Sequence, residues 1–428
     1  MLSEPLTASK FPADVFRLTN GLTVIHQHLP ATPVVMVDVW VRAGAIAEPD
    51  EWSGMAHFLE HMIFKGTERL APGVFDSVIE NCGGVANAAT SHDYAHFFIT
   101  TAAQYLEQTL SPLSDLLLHP TIPDEEFVRE RDVVLEEIRS CYDNPDWIGL
   151  QALSESVYQS HPYGRPILGT EMQLIERSPQ EMRCFHATHY QPKNMTVVIV
   201  GGIEQELALN LVNQSFQEFP HPGECPKFEA EAEPPLTEIR RQELYLPRLE
   251  QARLLMAWIG PGVDQLRDAY GLDLLSVLLA EGRSSRLVRE LREEQRLVQN
   301  ISSGFSLQRD SSLFTISACL DPQHLERVEE LICDRLFQLQ RTPVSQTELS
   351  RCQRLLCNDY TFSTEAASQI AGLYGYYNTI ATAEVAVTYP HQIQRLKAVD
   401  LMHLAQQYLS PNHYAVTVLK PMNREGNG

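Results

Sequence analysis

The chain has 428 residues, 44% hydrophobic and 21% charged, with a formal net charge of −22 and a pI near 5.1. That length predicts two or more domains. The acidity argues against a nucleic-acid partner, and no apolar run reaches the roughly 18 residues that read as a membrane-spanning helix. A negative field favours basic peptides over acidic ones, although solubility alone accounts for it equally well. The segment Met1-Leu-Ser-Glu-Pro-Leu-Thr7 lacks the basic and apolar regions of a signal peptide, so none is expected. The eight cysteines include no Cys-x-x-Cys pair. A reducing cytoplasm without structural disulfides is the expectation.

In chain order, Phe16 to Ile25 reads as two short strands around an Asn20-Gly21 turn. Val34 to Val41 reads as a buried strand. Ser53 to Phe64 lacks Pro and is rich in Leu, Met, Ala and Glu, which predicts a helix with Ser53 as its N-cap. On that helix His57 and His61 are i and i+4 and share a face. Two imidazoles so placed grip one divalent metal, and Glu60, on the same side but one residue short, is placed to take a proton from water beside it. The spacing His-x-x-Glu-His is the inverted zincin signature. Catalytic zinc takes a third protein ligand, so a downstream His or carboxylate is required.

Gly73 to Asn81 predicts a second helix ending at Gly83-Gly84. Val85 to Thr101 reads as a hairpin or long strand. His92 and His96 are four apart there, but in a strand they stand about 13 Å apart and are not expected to share a metal. Tyr105 to Leu118 and Asp124 to Cys141 read as amphipathic helices separated by Pro120 and Pro123. In the second of these, Glu130 and Glu137 share a face and Glu136 is turned about 100° away from Glu137. Any one of these acids reads equally well as a solvated surface group. Further helices are expected near 146–158 and 179–189, a strand over Met195 to Val200, and a helix over Glu204 to Phe219.

Residues 220–236 are rich in Pro and Glu and read as a linker. The pattern then restarts, with strands near 238–246, 252–259, 298–307 and 312–320 and a helix over Leu266 to Leu279. Glu126-Phe-Val-Arg129 has a counterpart, Glu348-Leu-Ser-Arg351, 222 residues later. The repeat implies an internal duplication. At that offset Glu130 becomes Cys352 and Glu137 becomes Asp359, and the second half has no His-x-x-Glu-His. The expected fold is α+β: two similar domains, 1–219 and 237–428, each a mostly antiparallel sheet with helices packed on one face.

Gly-Met-Ala-His57-Phe-Leu-Glu60-His61-Met-Ile-Phe-Lys-Gly-Thr67 and Glu130-Arg-Asp-Val-Val-Leu-Glu-Glu137 resemble the pitrilysin/insulinase zinc peptidases. That family includes the mitochondrial processing peptidase β-subunit and bacterial two-domain relatives. The likeness extends to His161-Pro-Tyr-Gly-Arg165-Pro-Ile-Leu-Gly-Thr170 and His189-Tyr-Gln-Pro-Lys-Asn-Met195. It implies Zn2+ held by His57, His61 and Glu137, which lies 76 residues after His61. It also implies Glu60 as the catalytic base and Glu130 as a supporting catalytic-site carboxylate. Asn87, Ala88 and Ala89 match an edge strand that pairs with the peptide substrate. Gly282 to Gln299 matches a substrate-holding segment whose Arg is kept as Arg292 and whose Tyr is replaced by Gln299. In some members a metal-binding subunit pairs with a metal-free homologue that supplies those groups, so a heterodimer and a homodimer are both open. The implied activity is zinc endopeptidase action on peptides or unfolded segments. A metal-free structural subunit and a peptide-binding partner without turnover are the alternatives.

Overall fold

The computed structural model describes residues 11–226 and 230–422, and the segment Met1 to Thr7 on which the signal-peptide reading rests lies outside them. Strands β1 (Asp14–Arg17), β2 (Thr23–His28), β3 (Val34–Val41), β4 (Val85–Thr90), β5 (Ala95–Ala102) and β6 (Met195–Gly201) form one sheet in the order β1-β2-β6-β3-β5-β4. Only the β2–β6 pairing is parallel. The expected β1–β2 hairpin is present, and Gly21 supplies the positive φ of +97° that its turn needs.

A second sheet comprises β7 (Arg240–Leu246), β8 (Ala252–Pro261), β9 (Val298–Ser306), β10 (Ser311–Leu320) and β11 (Ala415–Pro421) in the order β7-β11-β8-β10-β9. It is antiparallel except between β7 and β11. The first half carries helices α1 (Met55–Ile63), α2 (Val74–Asn81), α3 (Leu106–Leu118), α4 (Asp124–Cys141), α5 (Pro145–Val157), α6 (Glu171–Glu176), α7 (Pro179–His189) and α8 (Gln205–Ser215). The second carries α9 (Leu266–Ala280), α10 (Leu325–Arg341), α11 (Gln346–Phe362), α12 (Ala367–Ile380), α13 (Glu384–Arg395) and α14 (Ala398–Tyr408), with a π-helical turn at Val288–Glu294. The architecture is therefore two-domain α+β, with mixed sheets.

The chain forms two compact units, and neither is contiguous in sequence. The first contains the described residues up to Arg139, Arg165–Ala230 and Thr361–Thr388; the second contains Ser140–Gly164, Glu231–Tyr360 and the residues from Tyr389 onward. The contiguous domains expected on either side of 220–236 are thus corrected by two exchanged segments.

Burial gives the physical reason. In β3 every residue after Val34 is buried, and in β6 all are, so both faces of the first sheet need cover. Val35, Val37 and Val39 face the large core that includes α1, α3 and α4, whereas Met36 and Trp40 face Ile370, Ala371 and Tyr374 of α12. Helices on one face alone would leave Ile25, Met36, Val198 and Val200 in water. Each such side chain is worth about 1.5–3 kcal/mol when buried. Helix α12 comes close because Gly375 has no Cβ; one built there would lie 2.0 Å from Trp40 Nε1. In the second unit α5 uses the same device, since a Cβ on Gly149 would lie 3.1 Å from side-chain carbons of Leu255 and Leu419.

Candidate metal centre

Helix α1 is positioned by a residue that helix-capping preference does not point to. Ser53 is not the N-cap: Gly54, with φ of +92°, takes that place, and the buried Ser53 hydroxyl has no hydrogen-bond partner. The left-handed turn at Gly54 moves Ser53 off the helix axis. Instead the buried carboxylate of Glu48 accepts from the Gly54 N–H (3.0 Å) and the Ala56 N–H (2.7 Å). Burial pushes Glu48 up to about 8, against the pull of those two amides and of Arg165. Arg165 in turn donates to the carbonyls of Ala45 (3.3 Å) and Glu48 (3.2 Å) and pairs with Asp50 (2.9 Å). The loop before α1 is fixed by this guanidinium.

From α1, the His57 and His61 rings lie with centroids 4.8 Å apart. Glu137 reaches them from α4, with Oε2 3.7 Å from His57 Nε2 and 3.5 Å from His61 Nε2. One ligand atom from each residue falls within 4.8 Å of the others, and among the described residues this is the only such group of three or more His, Cys, Asp or Glu. Zinc bonds of about 2.0–2.2 Å at a tetrahedral angle place two ligand atoms about 3.4 Å apart. The cluster fits that requirement. His57 is driven down to about 4, first by burial and then by His61, so its imidazole is neutral, as a ligand must be. Its Nδ1 is buried without a hydrogen-bond partner. Glu136 is exposed and paired with Arg139, away from the cluster.

Glu130, one helical repeat before Glu137, accepts a hydrogen bond from His61 Nδ1 (2.9 Å) and pairs with Lys65 (2.5 Å). Burial raises its pKa, but these two contacts outweigh burial and the net shift is downward. Glu60 accepts from the Thr90 hydroxyl at 2.6 Å. Its pKa is raised by burial, against the pull of Thr90 and His61. Neither Lys65 as a partner of Glu130 nor Thr90 as a partner of Glu60 is anticipated by the sequence, where Thr90 only ends the candidate edge strand. Lys65 lies four residues past His61, a spacing that would have placed it near the same face.

The other candidates separate. His96 pairs with Asp38 (3.0 Å) and stacks on Trp40, and His92 meets the Arg165 carbonyl, so the two share no site. Asn87, Ala88 and Ala89 lie on β4, the edge strand next to β5 only. The Ala88 N–H is already engaged by Asn87 Oδ1 at 2.9 Å. In the second unit, Arg292 sits in the π-helical turn, paired with Glu293 (2.8 Å), and Gln299 on β9 accepts from the Cys319 thiol (3.7 Å).

Comparison with known proteins bears on the family. The sequence model of the insulinase family (Peptidase family M16) matches residues 23–171, and that of the Peptidase M16 inactive domain matches 178–356. The chain is 30% identical to the zinc protease PqqE of Helicobacter pylori, across 94% of this chain and 92% of that one. It is 29% identical to a Bacillus subtilis protein named as the zinc protease YmxG, across 94% and 97%. A crystal structure of a protease from Helicobacter pylori superposes with a TM-score of 0.90 at 29% identity, covering 96% of this chain and 99% of that one. Two α+β halves, one with a His-His-Glu cluster, define a metallopeptidase architecture. The chain belongs to the insulinase family, peptidase family M16.

Proposed function

We propose that this chain is a zinc-dependent endopeptidase acting on peptides or unfolded segments. The observation that carries the reading is the convergence of His57, His61 and Glu137 with Glu60 beside them. A zinc ion held by the first three would polarise a peptide carbonyl and acidify water. Glu60, held by Thr90, takes the proton from the attacking water and passes it to the leaving amine. Glu130 fixes the His61 ring through Nδ1. A peptide adding to the free edge of β4 would gain backbone hydrogen bonds worth about 0.5–1.5 kcal/mol each, after displacing Asn87 Oδ1 from the Ala88 N–H.

The reading extends to a partner, either a metal-free homologous chain or a second copy. Gln299 offers no aromatic face to hold a peptide, so activity is expected to rise when a metal-free homologous chain bearing both Arg and Tyr is added. The cysteine usage, with no Cys-x-x-Cys pair, favours a reducing cytoplasm as the working compartment. The test is cleavage of an unstructured peptide by the zinc-loaded chain, alone and with such a relative. Glu60→Gln is expected to keep zinc and lose activity by a factor of roughly 100 to 10,000. Unchanged cleavage by that variant would refute the assignment of the base, and no cleavage with or without the relative would refute the peptidase reading.

A further inference from the structure

Cys184 and Cys225 are far apart in sequence and adjacent in space. Their sulfurs lie 3.0 Å apart across 41 residues of chain. Two thiols in ordinary contact stand further apart than this, whereas a disulfide bond is about 2.05 Å. Small side-chain rotations separate the observed contact from a covalent one.

The two cysteines sit on unlike elements. Cys184 is on α7, a helix anchored in the core by Met182 and Phe185. Cys225 is on the Pro-rich segment that composition marks as a linker, and it has no helix or strand to hold it. What holds it is α7: the Gly223 N–H donates to the Ala187 carbonyl (3.2 Å), and the Cys225 N–H donates to the Thr188 hydroxyl (3.3 Å). A Cβ on Gly223 would lie 2.8 Å from Thr188 Oγ1 and 2.9 Å from the Cys184 carbonyl, so this segment lies directly on the helix. The backbone thus presents one thiol to the other. A metal site is not the explanation, because among the described residues no third His, Cys, Asp or Glu joins the pair.

We propose that Cys184 and Cys225 are a reversible thiol–disulfide pair, closed by a low-molecular-weight disulfide such as oxidised glutathione, that staples the start of the linker to α7. One cysteine thiolate attacks the glutathione disulfide, forming a mixed disulfide and releasing one glutathione. The second cysteine attacks the protein-side sulfur, forming the Cys184–Cys225 bond and releasing the other glutathione. Two protein thiols are oxidised, one glutathione disulfide is reduced, and the two thiol protons leave with the two glutathione products. The second step is intramolecular, so it outruns attack by another external disulfide. Burial, and then the neighbouring sulfur, pushes the Cys225 thiol up to about 12, which makes closure slow at neutral pH and faster in mild alkali. Closure ties residues 220–225 to α7 by a covalent bond in addition to the two hydrogen bonds.

The experiment treats the full-length protein with oxidised glutathione, quenches by acid, and maps disulfides by mass spectrometry without reduction. The expected result is loss of two hydrogens per chain and one cross-linked peptide pair containing Cys184 and Cys225. Thiol reductant should reverse it, and a raised denaturant midpoint should be present only in the oxidised form. Cys184→Ser and Cys225→Ser should each accumulate a single glutathionyl adduct at the remaining cysteine. Stable glutathione adducts on the wild-type pair, a cross-link involving other cysteines, or no reaction under conditions that modify the unfolded chain would overturn the proposal.

Discussion

His61 Nδ1 donates to Glu130 Oε1 at 2.9 Å, and this bond decides which nitrogen of His61 is available. With the proton fixed on Nδ1 by an ionised carboxylate, the Nε2 lone pair points toward Glu137. His57 has no equivalent partner at Nδ1 and is kept neutral by burial and by the neighbouring His61. Glu130→Ala is therefore expected to weaken zinc affinity by roughly 10- to 100-fold. Glu130→Gln, which keeps an acceptor for Nδ1–H, should weaken it less. Competition with a chromophoric chelator measures both.

Glu137 and Glu136 are neighbours in sequence with opposite surroundings. Glu137→Gln removes the carboxylate ligand, and the protein should lose stoichiometric zinc on dialysis. Glu136→Gln breaks only an exposed, solvent-screened pair with Arg139 and should leave stability and zinc content essentially unchanged. Metal analysis showing the reverse pattern would reassign the third ligand.

Glu48 is expected to matter to folding more than Ser53. Glu48→Ala leaves two buried amides at the start of α1 without an acceptor, at a cost of about 1–3 kcal/mol each. Ser53→Ala removes a hydroxyl that bonds to nothing and should be neutral or slightly stabilising. Chemical denaturation of the metal-free proteins separates the two.

Stability of the metal-free protein should pass through a maximum with pH. His57, His186 and His189 are each lowered by burial from 6.5 to about 4. The unfolded chain binds protons more readily in that window, so stability is lost as pH falls from 6.5 to about 4. For His186, fully enclosed against the Leu117 carbonyl, the loss is on the order of 3 kcal/mol. Glu48 acts in the opposite sense: its raised pKa makes the folded state the better proton binder, so its contribution falls as pH rises from 4.5 to about 8. Below pH 6.5 the histidines and the raised carboxyls oppose one another, and above it the carboxyls of Glu48, raised to about 8, and of buried Asp273, raised to about 7, set a downward slope. Denaturation midpoints across pH 4 to 8 would check this, and Glu48→Gln should flatten the decline above 6.5.

Much of this was legible where local signals are strong. Helix α4 runs over Asp124–Cys141, as its apolar spacing after Pro123 implies, and that phase puts Glu130 and Glu137 on one face. Other features carry no periodic signal. Glu48 lies in an irregular loop, and its role depends on a fold that returns its carboxylate to amides six and eight residues later. Ser53 misled because residue type favours a cap while the Gly54 backbone excludes it. The destination of α5 and α12 was hidden for a different reason. An apolar helical stripe states that it will be covered, but not by which sheet.

That last point bears on how the protein comes to exist. The face of the first sheet formed by Ile25, Met36, Trp40, Val198 and Val200 is closed by residues 367–380, synthesised long after the strands they cover. A ribosome that has made the whole metal-binding stretch has still not made its lid. Until α12 emerges, the nascent chain carries an open apolar sheet face, which is the kind of surface that chaperones hold and that aggregates form on. A fragment ending in the linker would carry every residue of the His-His-Glu cluster and still be unable to bury its own sheet. The metal-binding half thus depends on a segment from the second half of the sequence to close its sheet, although the sequence reads as one domain followed by another.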